Sequence, residues 1–409
     1  LNKQTTYWPE LDGLRAVAFL IVFLAHYAPS ACGVFTAVLN IYGTWGWIGV
    51  DLFFVLSGYL ITFLLVKEKF SFNSISIIDF YKRRALRIWP LYFLVLSAAS
   101  FYPLLSHHWN GYLRLFLQQV IAPFLLFAGN YTMIWQFGAI KQFCDNWNIS
   151  FAVYVGLLVP LWSLCIEEQF YLFWPGLLNF AKTVKGIYFA IGLLFLCSIG
   201  VRLVLVLTAL KNGWGHAYYY MDIFSHLDAL MVGAGLALTE YCKPGWFVPY
   251  TRNAQGWLIF AILSFIFGII PLTVPSLYER DLSIVPTMTV VAVSFGGVLL
   301  LAMNWEPLRN LLRNRLLRSI GKVSYAMYLF HFFLIRLVEP KLPTITGNPE
   351  INWLANALIM LGITYVAAQV SWNLLEKRFL KARIKFSKVH SETELLSDQA
   401  SIAKTPVLV

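Results

Sequence analysis

The sequence predicts an all-α fold: a polytopic membrane helical bundle of about ten transmembrane helices, with a re-entrant or interfacial segment near residues 113–136. Three observations predict it. Only 12% of the 409 residues are charged while 59% are hydrophobic, whereas a soluble protein carries about 25% charge. Apolar runs recur at the length that crosses a bilayer, about 20 residues. Lys and Arg cluster at the ends of those runs, as expected of cytoplasmic loops. The net charge of +11 is accounted for by these loops, so it is not read as a nucleic-acid footprint. No stretch reads as a separate soluble domain.

Candidate spans fall at 14–32, 46–66, 85–105, 161–181, 187–209, 223–241, 256–273, 282–303, 321–338 and 352–374. The further run at 113–136 is interrupted by Gln118, Gln119, Gly129, Asn130 and Gln136. Loop charge decides how to count it. If it does not cross, the clusters around Lys67, Arg83, Lys182, Lys243, Arg313 and Arg378 all fall on one side, with both termini in the cytoplasm. If it crosses, later clusters are thrown outside. Residues 1–386 therefore read as one multi-pass domain of a cell inner membrane, and 387–409 as a flexible cytoplasmic tail. The first run is not expected to be a cleaved signal peptide, because Glu10 and Asp12 precede it where a signal sequence is basic. The five cysteines form no CxxC pair and no Cys/His metal pattern. They read as single thiols, with a Cys32–Cys144 disulfide as the minor alternative.

Ionisable groups inside a span cost about 2.5–3.5 kcal/mol each at the bilayer centre, so they face the bundle interior. Arg15 and His26 are eleven residues apart. Eleven steps of 100° bring both onto one helix face, about 16 Å apart along the axis. That alignment predicts a polar track from a cytoplasmic Arg15 to a mid-membrane His26. Asp51 opens the second span near the outer surface, and Ser57 and Gly58 lie deeper. These small residues allow either close helix packing or close approach of a substrate. Arg84 and Arg87 share a face at i, i+3 and suit phosphate recognition, or simple anchoring. Glu167 and Glu168 point about 100° apart, so one faces a given cavity; Glu167 is the choice. His226 and Asp228 open another span. Ser324, Tyr328 and His331 form a single stripe at i, i+4, i+7, and Glu376 at the cytoplasmic boundary is expected in an ion pair.

These residues stand in motifs that occur in a fixed order. They are "ELDGLRAVAFLIVFLAH", "GVDLFFVLSGYLI", the pair Arg84 and Arg87, "WSLCIEEQFYLFWP", "HLDALMVGAGLA" and "SYAMYLFHFFLI". Together they resemble the acyltransferase 3 family of integral membrane acyltransferases, over residues 7–380. The resemblance implies an O-acetyltransferase that takes acetyl-CoA from the cytoplasm and acetylates a surface glycan across the membrane, with lipopolysaccharide O-antigen as the first choice. It implies Arg15 and His26 as an essential pair and Arg84 and Arg87 as a second arginine motif. His226 stands where the family often has an arginine. Some members carry a further soluble esterase-like domain, so here the chemistry is expected from the membrane domain or a partner.

On this reading, Arg84 and Arg87, with Arg15, bind the donor's phosphates. His26 is the base or nucleophile, supported by Arg15 and Glu167. Asp51, Ser57, Asp228, Tyr328 and His331 face the acceptor. No metal is called for. The rival class is a transporter or flippase, to which buried charges and a re-entrant segment are equally natural. A non-catalytic partner in glycan assembly is the weaker third reading.

Overall fold

The computed structural model describes residues 7–27, 47–101, 117–146, 150–214, 217–251 and 282–386. Among these, every regular element is helical. The principal helices are α1 (Pro9–His26), α2 (Trp47–Phe72), α3 (Ile77–Phe101), α4 (Phe151–Leu158), α5 (Leu161–Phe180), α6 (Val184–Asn212) and α7 (Leu227–Cys242). They are followed by α8 (Ile284–Asn304), α9 (Glu306–Leu312), α10 (Arg315–Lys322), α11 (Ser324–Val338), α12 (Pro349–Ser371) and α13 (Lys377–Arg383). The expected span at 256–273, Cys32 and the tail 387–409 lie outside the described residues.

Five helical stretches are long and apolar enough to cross a bilayer: α2, α4 with α5, α6, α8, and α12 with α13. The chain is a multi-pass membrane protein. The other described helices at expected spans fall short of that standard for visible reasons. Helix α1 carries Glu10, Asp12 and Arg15, α3 carries Lys82, Arg83, Arg84 and Arg87, and α7 and α11 have only 16 and 15 residues.

Burial sorts the spans into centre and rim. The most apolar window of α2 is 78% buried, whereas those of α6 and α12 are 22% and 28% buried. A helix that is apolar all round belongs either in a core or against lipid; α2 takes the first place, α6 and α12 the second. Helix α7 packs directly along α2. A Cβ on Gly58 would overlap the carbonyl of Leu230, and one on Gly233 would overlap the carbonyl of Val55. The two backbones therefore touch only because both positions are glycine.

Polar side chains secure the helix ends around α5. Lys69 is buried, and its ammonium donates to the carbonyls of Leu178 at 2.6 Å, Asn179 at 3.1 Å and Ala181 at 2.6 Å. A cation at a helix C-terminus meets the negative end of the dipole and the unpaired carbonyls together. Thr183 caps α6 through a 3.0 Å bond from Gly186 N–H, and Gly213 ends it at φ 66°.

The described part of the 113–136 run is not one helix. It breaks into a π-turn at Leu117–Ile121 and short helices Ala122–Leu125 and Gly129–Trp135. Phe127 adopts a positive φ of 53° at the break. The carbonyls freed there are taken up from neighbouring helices. Tyr92 of α3 donates to Phe124 O at 2.8 Å, and Gln169 of α5 donates to Phe127 O at 2.7 Å and to Asn130 Oδ1 at 2.9 Å. Irregular backbone survives in a membrane protein where protein covers it in this way. In the same region Cys144 is a buried free thiol.

Candidate active site

Helices α1, α2, α3, α5, α11 and α13 enclose a cavity of about 420 Å³, within the usual range for small-molecule sites. Along α2 its wall runs from Val50 to Glu68, about 27 Å of helix. One end is rich in charge, and the other is closed by Val50, Phe53, Ser163 and Tyr328.

Six guanidinium or ammonium groups line the cavity: Arg15, Arg83, Arg84, Arg87, Lys322 and Arg383. Two are neutralised locally. Arg15 pairs with Asp12 at 2.6 Å, and Arg83 with Glu68 at 3.0 Å. Tyr7 also donates to Asp12, at 2.7 Å. Arg84 and Arg87 form no ion pair among the described residues. The buried Nε of Arg84 has no hydrogen-bond partner. Its guanidinium lies over the rings of Phe80 and Tyr171, at 5.7 and 5.6 Å. A partly desolvated guanidinium with no direct ion-pair partner favours an anionic ligand.

In the middle of the cavity, Tyr171 donates its hydroxyl to Glu167 Oε2 at 3.1 Å, and Ser57 Oγ lies 2.5 Å from the same hydroxyl. Tyr171 has one proton, so Ser57 is the donor to it. The three form a hydroxyl relay ending on a carboxylate. At the closed end, the Ser163 and Tyr328 hydroxyls bond at 2.7 Å.

The cavity thus gathers Arg15, Ser57, Arg84, Arg87, Glu167 and Tyr328, all of them sequence candidates. His26 is not among the described residues that line it. Tyr328 and Phe53, with ring centres 5.9 Å apart, line this end of the cavity. Beyond Tyr328 lie His331, whose ring centre is 5.6 Å from the tyrosine ring, and then His26, 5.0 Å from His331. His331 Nε2 is 3.1 Å from His26 Nδ1, and His331 Nδ1 is 2.6 Å from Tyr328 O. His26 Nδ1 also lies 3.1 Å from Val22 O.

Asp51 and Asp228 are not brought to the cavity. Asp51 pairs with His226 at 2.9 Å. Asp228 pairs with Arg202 at 2.6 Å and accepts from Thr289 at 2.7 Å. Both acids are 2% exposed and engaged in holding α2, α6, α7 and α8 together. Glu376 differs from expectation too. It lines the cavity and accepts from Ser371 at 3.1 Å, with no ion pair among the described residues.

Three residues escaped the sequence reading. Tyr171 stands four positions after Glu167, on the same helix face. Arg202 is a lone cation inside the apolar run 187–209, a signal that was present. Lys322 precedes the stripe of α11 by two residues and reaches the cavity from the end of α10. Among the described residues, no three His, Cys, Asp or Glu side chains converge in a way that could hold a metal ion.

Comparison with known proteins identifies the family. Residues 8–372 match the acyltransferase-domain family, and the chain belongs to it. A Staphylococcus aureus protein named "Putative O-acetyltransferase" is 28% identical over 389 residues, covering 94% of this chain and 59% of the relative. The peptidoglycan O-acetyltransferase OatA of Listeria monocytogenes is 30% identical over 398 residues, covering 91% of this chain and 57% of the relative. The chain thus spans less than two thirds of the curated relatives it matches. No solved structure matches it.

Proposed function

We propose that this chain is a membrane O-acetyltransferase that takes acetyl groups from acetyl-CoA in the cytoplasm and passes them to a hydroxyl of a cell-envelope glycan on the other side. The observation that carries this reading is the pair Arg84 and Arg87. Two half-buried guanidiniums without a direct ion-pair partner among the described residues face a cavity that also holds a hydroxyl relay. They would hold the donor's phosphates, which cannot enter lipid. Arg15, tied to Asp12, adds charge to the same wall.

The topology we propose has ten spans and both termini in the cytoplasm, with the broken segment at 113–136 on the outer side and 387–409 as a tail. The arginine end of the cavity then faces the donor's compartment. Ser57, Tyr171 and Glu167 orient the thioester in mid-cavity. His26 serves as the base for the incoming hydroxyl, from beyond the closed end. Family membership favours acyl transfer over transport. The relatives' names make peptidoglycan the acceptor class to test beside lipopolysaccharide O-antigen.

The test is release of free thiol from acetyl-CoA, and transfer of labelled acetyl to envelope glycan, by the purified chain in lipid. We expect His26→Ala to abolish both while the protein stays inserted. Normal turnover in that variant would overturn the reading.

A further inference from the structure

We infer that His331 is the positioning residue for His26: it accepts the proton-bearing side of that imidazole and leaves Nε2 bare to receive the substrate's proton. The inference rests on the role proposed above for His26. It reassigns His331 from the acceptor contact expected from sequence.

The argument is donor and acceptor arithmetic. His331 Nδ1 lies 2.6 Å from the carbonyl of Tyr328. A carbonyl only accepts, so Nδ1 carries the hydrogen. A neutral imidazole has one N–H, so His331 Nε2 is an acceptor. That acceptor lies 3.1 Å from His26 Nδ1, which is also 3.1 Å from Val22 O. Both neighbours of His26 Nδ1 accept, so His26 Nδ1 carries its hydrogen and shares it between them. His26 Nε2 is then left with a lone pair, and no partner for it occurs among the described residues.

Packing holds the arrangement in place. His331 is fully buried, and Phe19 meets its ring edge-on with centres 5.7 Å apart. Phe332 lies 4.4 Å from the His26 ring, and the Arg336 guanidinium lies over the Phe332 ring at 4.9 Å. Arg336 is the nearby charged group that acts on His26 among the described residues. It cannot accept a hydrogen bond, so it offers His26 no competing tautomer.

In the reaction, the acceptor oxygen bonds to the thioester carbonyl carbon and the carbon–sulfur bond breaks. His26 Nε2 takes the hydroxyl proton and then gives it to the departing thiolate. While His26 is an imidazolium, its Nδ1–H still points at His331 Nε2, whose lone pair stabilises that charge. A carbonyl alone would hold the ring less well, because the bond to Val22 O is local to α1 and follows the helix.

The experiment compares His331→Gln, His331→Asn and His331→Leu in the full chain. Glutamine places an amide oxygen near the former Nε2 and keeps the acceptor. Asparagine keeps the donor to Tyr328 O and loses the acceptor. Leucine keeps only bulk. Free-thiol release from acetyl-CoA is measured, with water standing in for the acceptor hydroxyl. We expect kcat to fall about 10²-fold in the asparagine and leucine variants, with donor KM unchanged and most of the rate retained with glutamine. Carbethoxylation of His26 by diethyl pyrocarbonate, read by peptide mass, is a second readout that needs no turnover. It is expected to slow in the asparagine and leucine variants and hold in the glutamine variant. Equal rates in all three variants, by either readout, overturn the inference. Turnover that survives His26→Ala instead overturns the functional reading beneath it, so the two failures are distinct.

Discussion

Arg202 of α6 and Asp228 of α7 are joined at 2.6 Å with both side chains out of solvent. The guanidinium also donates to Val285 O at 2.8 Å, to Thr289 at 3.0 Å and to Ser198 at 3.2 Å. One cation thus ties three helices. Asp51 and His226 form a second buried pair nearby. Arg202 reaches the turn beside His226 from the neighbouring helix, donating to Ser225 O at 3.2 Å.

Breaking this pair should destabilise the bundle without touching the cavity. Arg202→Ala leaves Asp228 buried and unpaired, at a cost of about 3–5 kcal/mol. Thermal unfolding in detergent should show a large fall in midpoint. The double variant Arg202→Met with Asp228→Leu should recover much of it, because replacing a buried pair with apolar groups is often neutral.

Contact between α2 and α7 sets a second expectation. Any side chain at Gly233 meets the backbone of Val55. Gly233→Ala should cost about 1–3 kcal/mol, and Gly233→Leu more. Gly176 has open space around its Cβ position, so Gly176→Ala should leave the unfolding midpoint nearly unchanged in the same assay.

Tyr171→Phe should remove the hydroxyl that both Ser57 and Glu167 contact. The cavity wall keeps its shape, so acetyl-CoA binding should persist while turnover drops about tenfold or more. Equal loss of affinity and rate would show that Tyr171 shapes the donor site and does not serve the relay.

Much of this arrangement was legible in the sequence. Arg84 and Arg87 were visible because i, i+3 spacing fixes their common face. The polar breaks at Gly129 and Asn130 announced that 113–136 was not a plain span. The break itself, at Leu126 to Ala128, depends on acceptors supplied by Tyr92 and Gln169 from distant helices, and no local pattern encodes that. Asp51 and Asp228 stood out because charge in a span usually has a function. Their partners, His226 and Arg202, lie 175 and 26 positions away, so pairing took three dimensions to see. Helical phase relates Arg15 to His26 along α1, but it says nothing of Tyr328 and Phe53, which reach the cavity from α11 and α2.

The central claim is that Arg84 and Arg87 hold the donor. Its most direct test is the affinity of the purified chain for acetyl-CoA, measured by titration calorimetry in lipid nanodiscs. The double variant Arg84→Ala, Arg87→Ala is compared with Arg336→Ala, which lies beside the histidine pair. A charge-assisted bond contributes about 1.5–3 kcal/mol, so the double variant should bind at least tenfold more weakly while Arg336→Ala binds as the parent does. Unchanged affinity in the double variant would contradict the account.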